Sequence, residues 1–159
     1  MTRIGFGFDT HRLESGYPLL LGGIKISHDK GSVGHSDGDT LIHAIIDALL
    51  GAAGLPDIGT WFPDTSATFK GIDSKKLLEQ TMRLIREKGF RIGNIDTTIV
   101  IQSPKLSTYI PEIVRTLADL LDTKPECISV KAKTGEKIGF IGREEGLSAY
   151  AVVLLEGRT

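Results

Sequence analysis

The chain has 159 residues, 40% of them apolar and 25% charged, long enough to bury one core and too apolar to stay disordered. With 19 basic and 20 acidic residues the formal net charge is −1, which excludes the basic surplus of a nucleic-acid binder and leaves a small anionic substrate open, since a few local cations suffice for one. The single cysteine, Cys127, excludes an internal disulfide and fits a reducing cytoplasm; no basic-then-apolar leader and no apolar run of about 18 residues is present, so no membrane association is expected.

The first strand is predicted at Ile4–Phe8 and runs into GFDTHRL, Gly7–Leu13. Side chains two apart on a strand share a face, so Asp9 and His11 converge. Such a pair suits either an ordinary hydrogen bond at a strand end or two ligands of one metal ion. Leu19–Ile26 reads as a small hairpin turning at Gly22-Gly23. A helix then follows Ser36-Asp37, with Leu41, Ile42, Ile45 and Leu49 at helical spacing, and ends near Gly51. Its lead-in, GHSDGD at Gly34–Asp39, offers backbone N–H groups as a seat for phosphate, with His35 and Ser36 as side-chain donors and Ser36 or Asp37 as a cap. Asp39, His43 and Asp47 stack at i, i+4 and i+8 on one face of this helix. His43 is therefore either a metal ligand flanked by carboxylates or a core histidine bonded to Asp47. Added to Asp9 and His11, it makes three ligands of the right type for zinc with a fourth position open, the catalytic arrangement.

GLPDIGTWFPDT, Gly54–Thr65, is a loop in which Asp57 and Asp64 could accept hydrogen bonds from a polyol. A second helix starts at Asp73 or Ser74, buries Leu77, Leu78, Met82 and Ile85, and stops at Gly89. The strand Thr97–Ile101 leads into QSPKLS, Gln102–Ser107, whose backbone suits a base edge and whose Lys105 suits a phosphate. A third helix spans about Ser107–Leu121, with Ile113, Val114, Leu117 and Leu121 inward. Cys127 is expected as a buried strand residue beside the strand Ile128–Lys133. KAKTGEKIGFIGRE, Lys131–Glu144, then supplies Thr134, Glu136 and Arg143, with Glu136 a plausible ligand for a hard metal such as magnesium. The last strand is Ala149–Leu155. No GxxxxGK[ST] motif is present, which disfavours a P-loop kinase or ATPase. Strands interleaved with helices predict a single α+β domain over residues 1–159, a mixed β-sheet with helices packed on one face.

In order along the chain, GFDTHRL, HSDGD(x)3HAxxDALLGA, DIGxxFPDT, SPKL and TGEKIGFIGRxEG resemble the 2-C-methyl-D-erythritol 2,4-cyclodiphosphate synthase family over roughly residues 3–156. The resemblance implies a metal-dependent phosphorus–oxygen lyase. Its substrate would be 4-diphosphocytidyl-2-C-methyl-D-erythritol 2-phosphate, cyclised with release of CMP on the methylerythritol phosphate route to isoprenoids. It implies zinc on Asp9, His11 and His43, magnesium or manganese on Glu136, and His35 and Thr134 as catalytic residues orienting the reacting phosphates. Asp9, Thr10, His11, His35 and Ser36 are implied substrate contacts. Asp57, Ile58 and Gly59, with Phe62, Pro63, Asp64, Thr65 and Ser66, would meet the methylerythritol. Ile101, Gln102, Ser103, Pro104, Lys105, Leu106 and Ser107, with Lys133, Thr134, Gly135 and Glu136, would form the cytidine and diphosphate pocket. Phe140 and Arg143 match further contacts, and Arg143 and Glu145 resemble residues lining an axial cavity.

The resemblance also implies a homotrimer with each active site between two subunits. Lys133 and Gly135 stand where many members have threonines, and Ser103 replaces a small apolar residue before the Pro-Lys pair. Two other functions fit the same residues: a zinc-dependent phosphodiesterase or phosphatase giving an open-chain product, and a non-catalytic trimer that binds isoprenoid or nucleotide ligands.

Overall fold

In the computed structural model, which describes residues 1–157, the strands are β1 (Thr2–Ser15), β2 (Leu19–Leu21), β3 (Ile24–Ile26), β4 (Lys30–Val33), β5 (Phe90–Val100), β6 (Ile128–Lys133) and β7 (Gly146–Gly157). The helices are α1 (Thr40–Ala52), α2 (Ile58–Trp61), α3 (Ser74–Glu87), α4 (Ile110–Leu121) and α5 (Gly139–Gly142). Five strands form one mixed sheet in the order β4-β1-β7-β5-β6, antiparallel except for β5 and β6. A parallel pair needs a crossover, and α4 supplies it. β2 and β3 form the expected separate hairpin, with Gly22 and Gly23 at φ +62° and +83°, the positive values a two-residue turn requires.

Alternation divides the sheet into a covered and an uncovered face. β1 turns Gly5, Gly7, Asp9, His11 and Leu13 toward the helices and Ile4, Phe6, Phe8 and Thr10 away from them. β7 does the same with Ala149, Ala151, Val153 and Leu155 against Tyr150 and Val152. The core lies between the covered face and α1, α3 and α4. Except for Asp47 and Gly51, every residue of α1 is buried, which fits a helix apolar nearly all round. Among the described residues no helix is long and apolar enough to cross a membrane.

Two glycines set how closely α1 seats. A Cβ on Gly7 would lie 1.9 Å from the Ala44 carbonyl oxygen, and one on Gly5 would lie 1.9 Å from that of Ala48. Backbone therefore meets backbone, with Ala44, Ala48 and Ala52 supplying the small side chains one turn apart.

The single-domain α+β reading agrees with this architecture, while several element ends differ. β1, β5 and β7 run well past their apolar stretches because ladder pairing continues through polar and glycine positions. β4, sequence KGSV, has no apolar pattern of its own and is a strand because it pairs with Arg12–Ser15. The third helix begins at Ile110 rather than Ser107, with Pro111 in its first turn. Cys127 is not a buried strand residue: it closes a short 3₁₀ turn, Pro125–Cys127, and is half-buried.

Replacing Gly7 by Ala is expected to cost about 3 kcal/mol or more of unfolding free energy in urea titrations, because two backbones would have to separate. Replacing Gly51 by Ala, an exposed helical position with nothing within 4 Å of the added Cβ, is expected to stabilise by about 0.5–1 kcal/mol in the same assay.

Candidate metal centre and its flanking cavities

The close seat of α1 brings its first turns over the end of β1, and three donors converge there. His11 Nδ1 lies 2.9 Å and His43 Nδ1 3.1 Å from the same oxygen, Asp9 Oδ2. The ring centroids are 5.2 Å apart, and Thr40 Oγ1 lies 3.1 Å from His11 Nδ1. One donor atom from each of Asp9, His11 and His43 falls within 4.8 Å of the others, the one such metal-type group found among the described residues. Burial pushes the Asp9 carboxyl up, but hydrogen bonds from His11 and His43 and their charge together bring it below its ordinary value. Burial likewise pushes His43 down, yet the bond to Asp9 and the charges of Asp9, Asp39 and Asp37 raise it overall. A carboxylate oxygen and two imidazole nitrogens facing one point are the donor set zinc takes at catalytic sites, so the residues present fit that ion.

The two other aspartates on the helix stripe do different work. Asp39 is the N-cap of α1: its carboxylate accepts from Ile42 N at 3.0 Å, Gly22 N at 3.0 Å and Gly23 N at 2.7 Å. The cap is thus neither Ser36 nor Asp37, and the N–H groups expected to seat a phosphate are in part already taken by this buried side chain. Asp47 accepts from Ile58 N at 2.8 Å and so fastens the start of α2. His43 bonds to Asp9 rather than Asp47, and behind it Nε2 lies 3.0 Å from Ser36 Oγ and 2.9 Å from Ser74 Oγ.

A cavity of about 180 Å³ opens in front of the three donors. Of the expected site residues, Asp9, His11, His35, Ser36, His43, Ile58, Gly59, Phe62 and Asp64 line it. Asp47, Phe69, Ile72 and Leu77 line it too, and only Asp47 had drawn attention in the sequence; the others look there like ordinary apolar core positions. His35 Nε2 lies 3.4 Å from the Ser66 carbonyl oxygen, which places the loop over the cavity. Asp57 does not line it, because its carboxylate caps α2 through Thr60 N and Thr60 Oγ1 at 2.9 and 2.8 Å. Pro63 and Thr65 lie in the same loop outside the lining. Thr10 points to the uncovered face of the sheet and bonds Ser148 Oγ at 2.8 Å.

A second cavity, about 230 Å³, lies at the far side of the sheet. It is lined by Ile101, Gln102, Pro104, Lys105, Leu106, Ser107, Lys133 and Thr134, all expected, and by Ile110 and Ala132, which were not. Ser103 precedes Pro104 through a cis peptide bond. Beside the cavity, Gly135 and Glu136 begin a tight turn: Thr134 Oγ1 donates to Glu136 Oε1 at 2.9 Å, and Lys137 N donates to Gln102 Oε1 at 3.1 Å. Glu136 is exposed, and among the described residues no other carboxylate, His or Cys joins it in a metal-type group. Phe140 lies on α5, and Arg143 is held by Glu145 at 2.9 and 3.1 Å.

The two cavities share no lining residue. Register puts Asp9, Ala149, Ile99 and Ala132 in one row across β1, β7, β5 and β6. Three strand spacings make that row about 14 Å long.

A model of the YgbB family matches residues 2–156. A 2-C-methyl-D-erythritol 2,4-cyclodiphosphate synthase of Porphyromonas gingivalis is 58% identical over 153 residues, 96% of this chain and 94% of that protein. The bifunctional IspDF of Campylobacter jejuni superposes with a TM-score of 0.95 at 44% identity over 99% of this chain, which spans 42% of that longer protein. A Plasmodium falciparum IspF structure in complex with CDP gives a TM-score of 0.88 at 37% identity, covering 99% of this chain and 97% of that one.

Asp39→Ala would leave three N–H groups without their acceptor, and chemical denaturation is expected to show a loss of about 3 kcal/mol. Asp47→Ala frees only one N–H, at the half-buried start of α2, and its expected loss is about 1 kcal/mol.

Proposed function

The chain belongs to the YgbB family, the 2-C-methyl-D-erythritol 2,4-cyclodiphosphate synthases of isoprenoid biosynthesis, and from that premise we propose how its residues divide the reaction. The single observation that carries the proposal is the convergence of Asp9, His11 and His43 on one point at the wall of a cavity. In 4-diphosphocytidyl-2-C-methyl-D-erythritol 2-phosphate, an oxygen of the 2-phosphate forms a bond to the β-phosphorus. The bond from that phosphorus to the bridging oxygen breaks, and CMP leaves with the electron pair. The nucleophile is already an anion, so no strong base is required and the protein's task is to position groups and neutralise charge.

Asp9, His11 and His43 would hold zinc, and Glu136 together with substrate oxygens would hold magnesium or manganese; bound there, such ions supply Lewis-acid neutralisation of phosphate oxygens. His35 and Ser36 border the same cavity and would orient the reacting phosphates from its open side. Ile58, Gly59, Phe62 and Asp64 would receive the methylerythritol, with Asp57 and Ser66 shaping the loop that presents them. Ile101–Ser107 and Lys133–Thr134 enclose a cavity suited to cytidine, with Lys105 supplying charge for the diphosphate. The CDP in the Plasmodium falciparum complex supports a nucleotide occupant. The lone cysteine supports a reducing, cytoplasmic setting.

Assembly as a homotrimer completes the proposal. On the uncovered face, Ile4 is 70%, Phe6 64% and Phe8 48% exposed, beside Tyr150 and Val152 of the neighbouring strand. An apolar patch of this kind suits burial against further copies. The separation of the metal and nucleotide cavities within one chain supports a site in which a neighbour supplies the missing half.

A phosphorus NMR spectrum of the product, with zinc and magnesium supplied, is expected to show the cyclic diphosphate; inorganic phosphate or an open chain would replace the ring-closing reading with hydrolysis. His43→Ala is expected to lose zinc by metal analysis while keeping its circular dichroism, and Glu136→Gln to keep zinc and lose most turnover.

Co-refolding those two variants in equal amounts tests the shared site. Interfaces in a cyclic trimer are head-to-tail, so about three quarters of randomly assembled trimers are mixed and carry one intact site of three, returning about a quarter of wild-type activity. Recovery near zero, with mixed trimers confirmed by mass spectrometry, would place each site within a single chain.

A further inference from the structure

Behind His43 lies a polar chain that the chemistry above does not use. His43 Nε2 is 2.9 Å from Ser74 Oγ, and Ser74, the first residue of α3, is fully buried. Ser74 Oγ donates to Asp37 Oδ1, while Asp37 Oδ2 accepts from Ser74 N at 2.9 Å. Asp37 Oδ1 also accepts from Asp39 N at 3.1 Å. Two backbone bonds fix these partners in place: Asp37 N donates to the Ile72 carbonyl at 3.2 Å and Gly71 N to the His35 carbonyl at 2.8 Å. The lead-in to α1 and the start of α3 are thereby stitched together around the imidazole.

Donor counting assigns the ring hydrogen. A hydroxyl has one hydrogen and a carboxylate accepting on both oxygens has none to give, so the Ser74 hydrogen belongs in its bond to Asp37. Toward His43, Ser74 can then only accept, and Nε2 must be the nitrogen that carries hydrogen. A neutral imidazole has one N–H, which leaves a lone pair on Nδ1, and Nδ1 is the atom 3.1 Å from Asp9 Oδ2. Two lone pairs facing each other call for a cation between them, a proton in the metal-free protein or a metal ion in the loaded one. In this form Ser36 Oγ, 3.0 Å from the same Nε2, is a second acceptor for that hydrogen.

We propose that Ser74 and Asp37 are positioning residues for the metal centre: they fix His43 in the Nε2–H form and hold Nδ1 toward Asp9 as a ready ligand for zinc. The proposal rests on the zinc reading of Asp9, His11 and His43 and extends it to two residues that touch neither ion nor substrate. Groups that orient a ligating histidine in this way commonly matter about 10- to 100-fold in metal affinity.

The test strips wild-type and Ser74→Ala protein of metal and measures zinc affinity by competition with a chromogenic chelator, alongside the thermal midpoint of each metal-free protein. Ser74→Ala is expected to bind zinc about 10- to 100-fold more weakly. A purely structural role would lower the metal-free midpoint and leave the zinc Kd within twofold, and that outcome overturns the proposal while leaving the metal reading intact. Wild-type protein that takes up no zinc would end both. Long-range nitrogen–proton NMR of His43 in metal-free wild type gives a reading independent of the variant's folding. Hydrogen on Nε2 is expected, and hydrogen on Nδ1 alone, with Nε2 bare, overturns the assignment.

Discussion

Everything at the candidate centre depends on two missing side chains. Because Gly5 and Gly7 have no Cβ, α1 rests directly on the backbone of β1, and its register against the strand is set by carbonyl oxygens rather than by adjustable side chains. The same strand then delivers Asp9 and His11 on the face where the glycines stood, two and four residues farther on. His43, one residue before Ala44 and its contact with Gly7, arrives over Asp9 as a consequence. Side chains pack with some tolerance, whereas a backbone contact at this distance has almost none, and ligand groups need placement to a fraction of an ångström.

The electrostatics of the centre follow from that placement. Asp9, Asp37 and Asp39 gather at one end of α1 around the two imidazoles, and the hydrogen bond to Asp9, with the charges of Asp9, Asp39 and Asp37, raises His43 against its burial. A pocket walled by Asp9, Asp47 and Asp64 would repel a phosphate group. A divalent cation at the donor triad would reverse the local sign and so reconcile an acidic wall with an anionic substrate.

How much of this could be read in the sequence varies with the kind of information. Alternation was enough to put Asp9 and His11 on one face. Helical spacing put His43 on a face with Asp39 and Asp47 and left it either a ligand or a core histidine, and the family resemblance is what implied the triad. The same spacing misassigned Asp39 and Asp47, because periodicity names a face and not a partner: the partners of Asp39 are backbone groups of a hairpin 16 and 17 residues earlier. Ser74 reads as a helix start, and nothing local in the sequence connects it to a histidine 31 residues away. β4 was invisible because its strand character comes from its neighbour. Five of the six QSPKLS residues and four of the nine DIGTWFPDT residues line the two cavities, while the Asp57 carboxylate accepts from Thr60 within its own helix.

The Asp39 clamp has a kinetic meaning as well as an energetic one. The β2–β3 hairpin has three residues in each strand and no ladder to the five-stranded sheet, and a hairpin so short does not persist unaided. Its turn amides at Gly22 and Gly23 share one carboxylate with the Ile42 amide in the first turn of α1. Whenever the hairpin swings away, that carboxylate loses two of its three donors, and the turn it caps carries Thr40 against His11 and leads into His43. Hydrogen exchange at Gly22 and Gly23 therefore belongs to one local opening event, beside the turn that leads into His43.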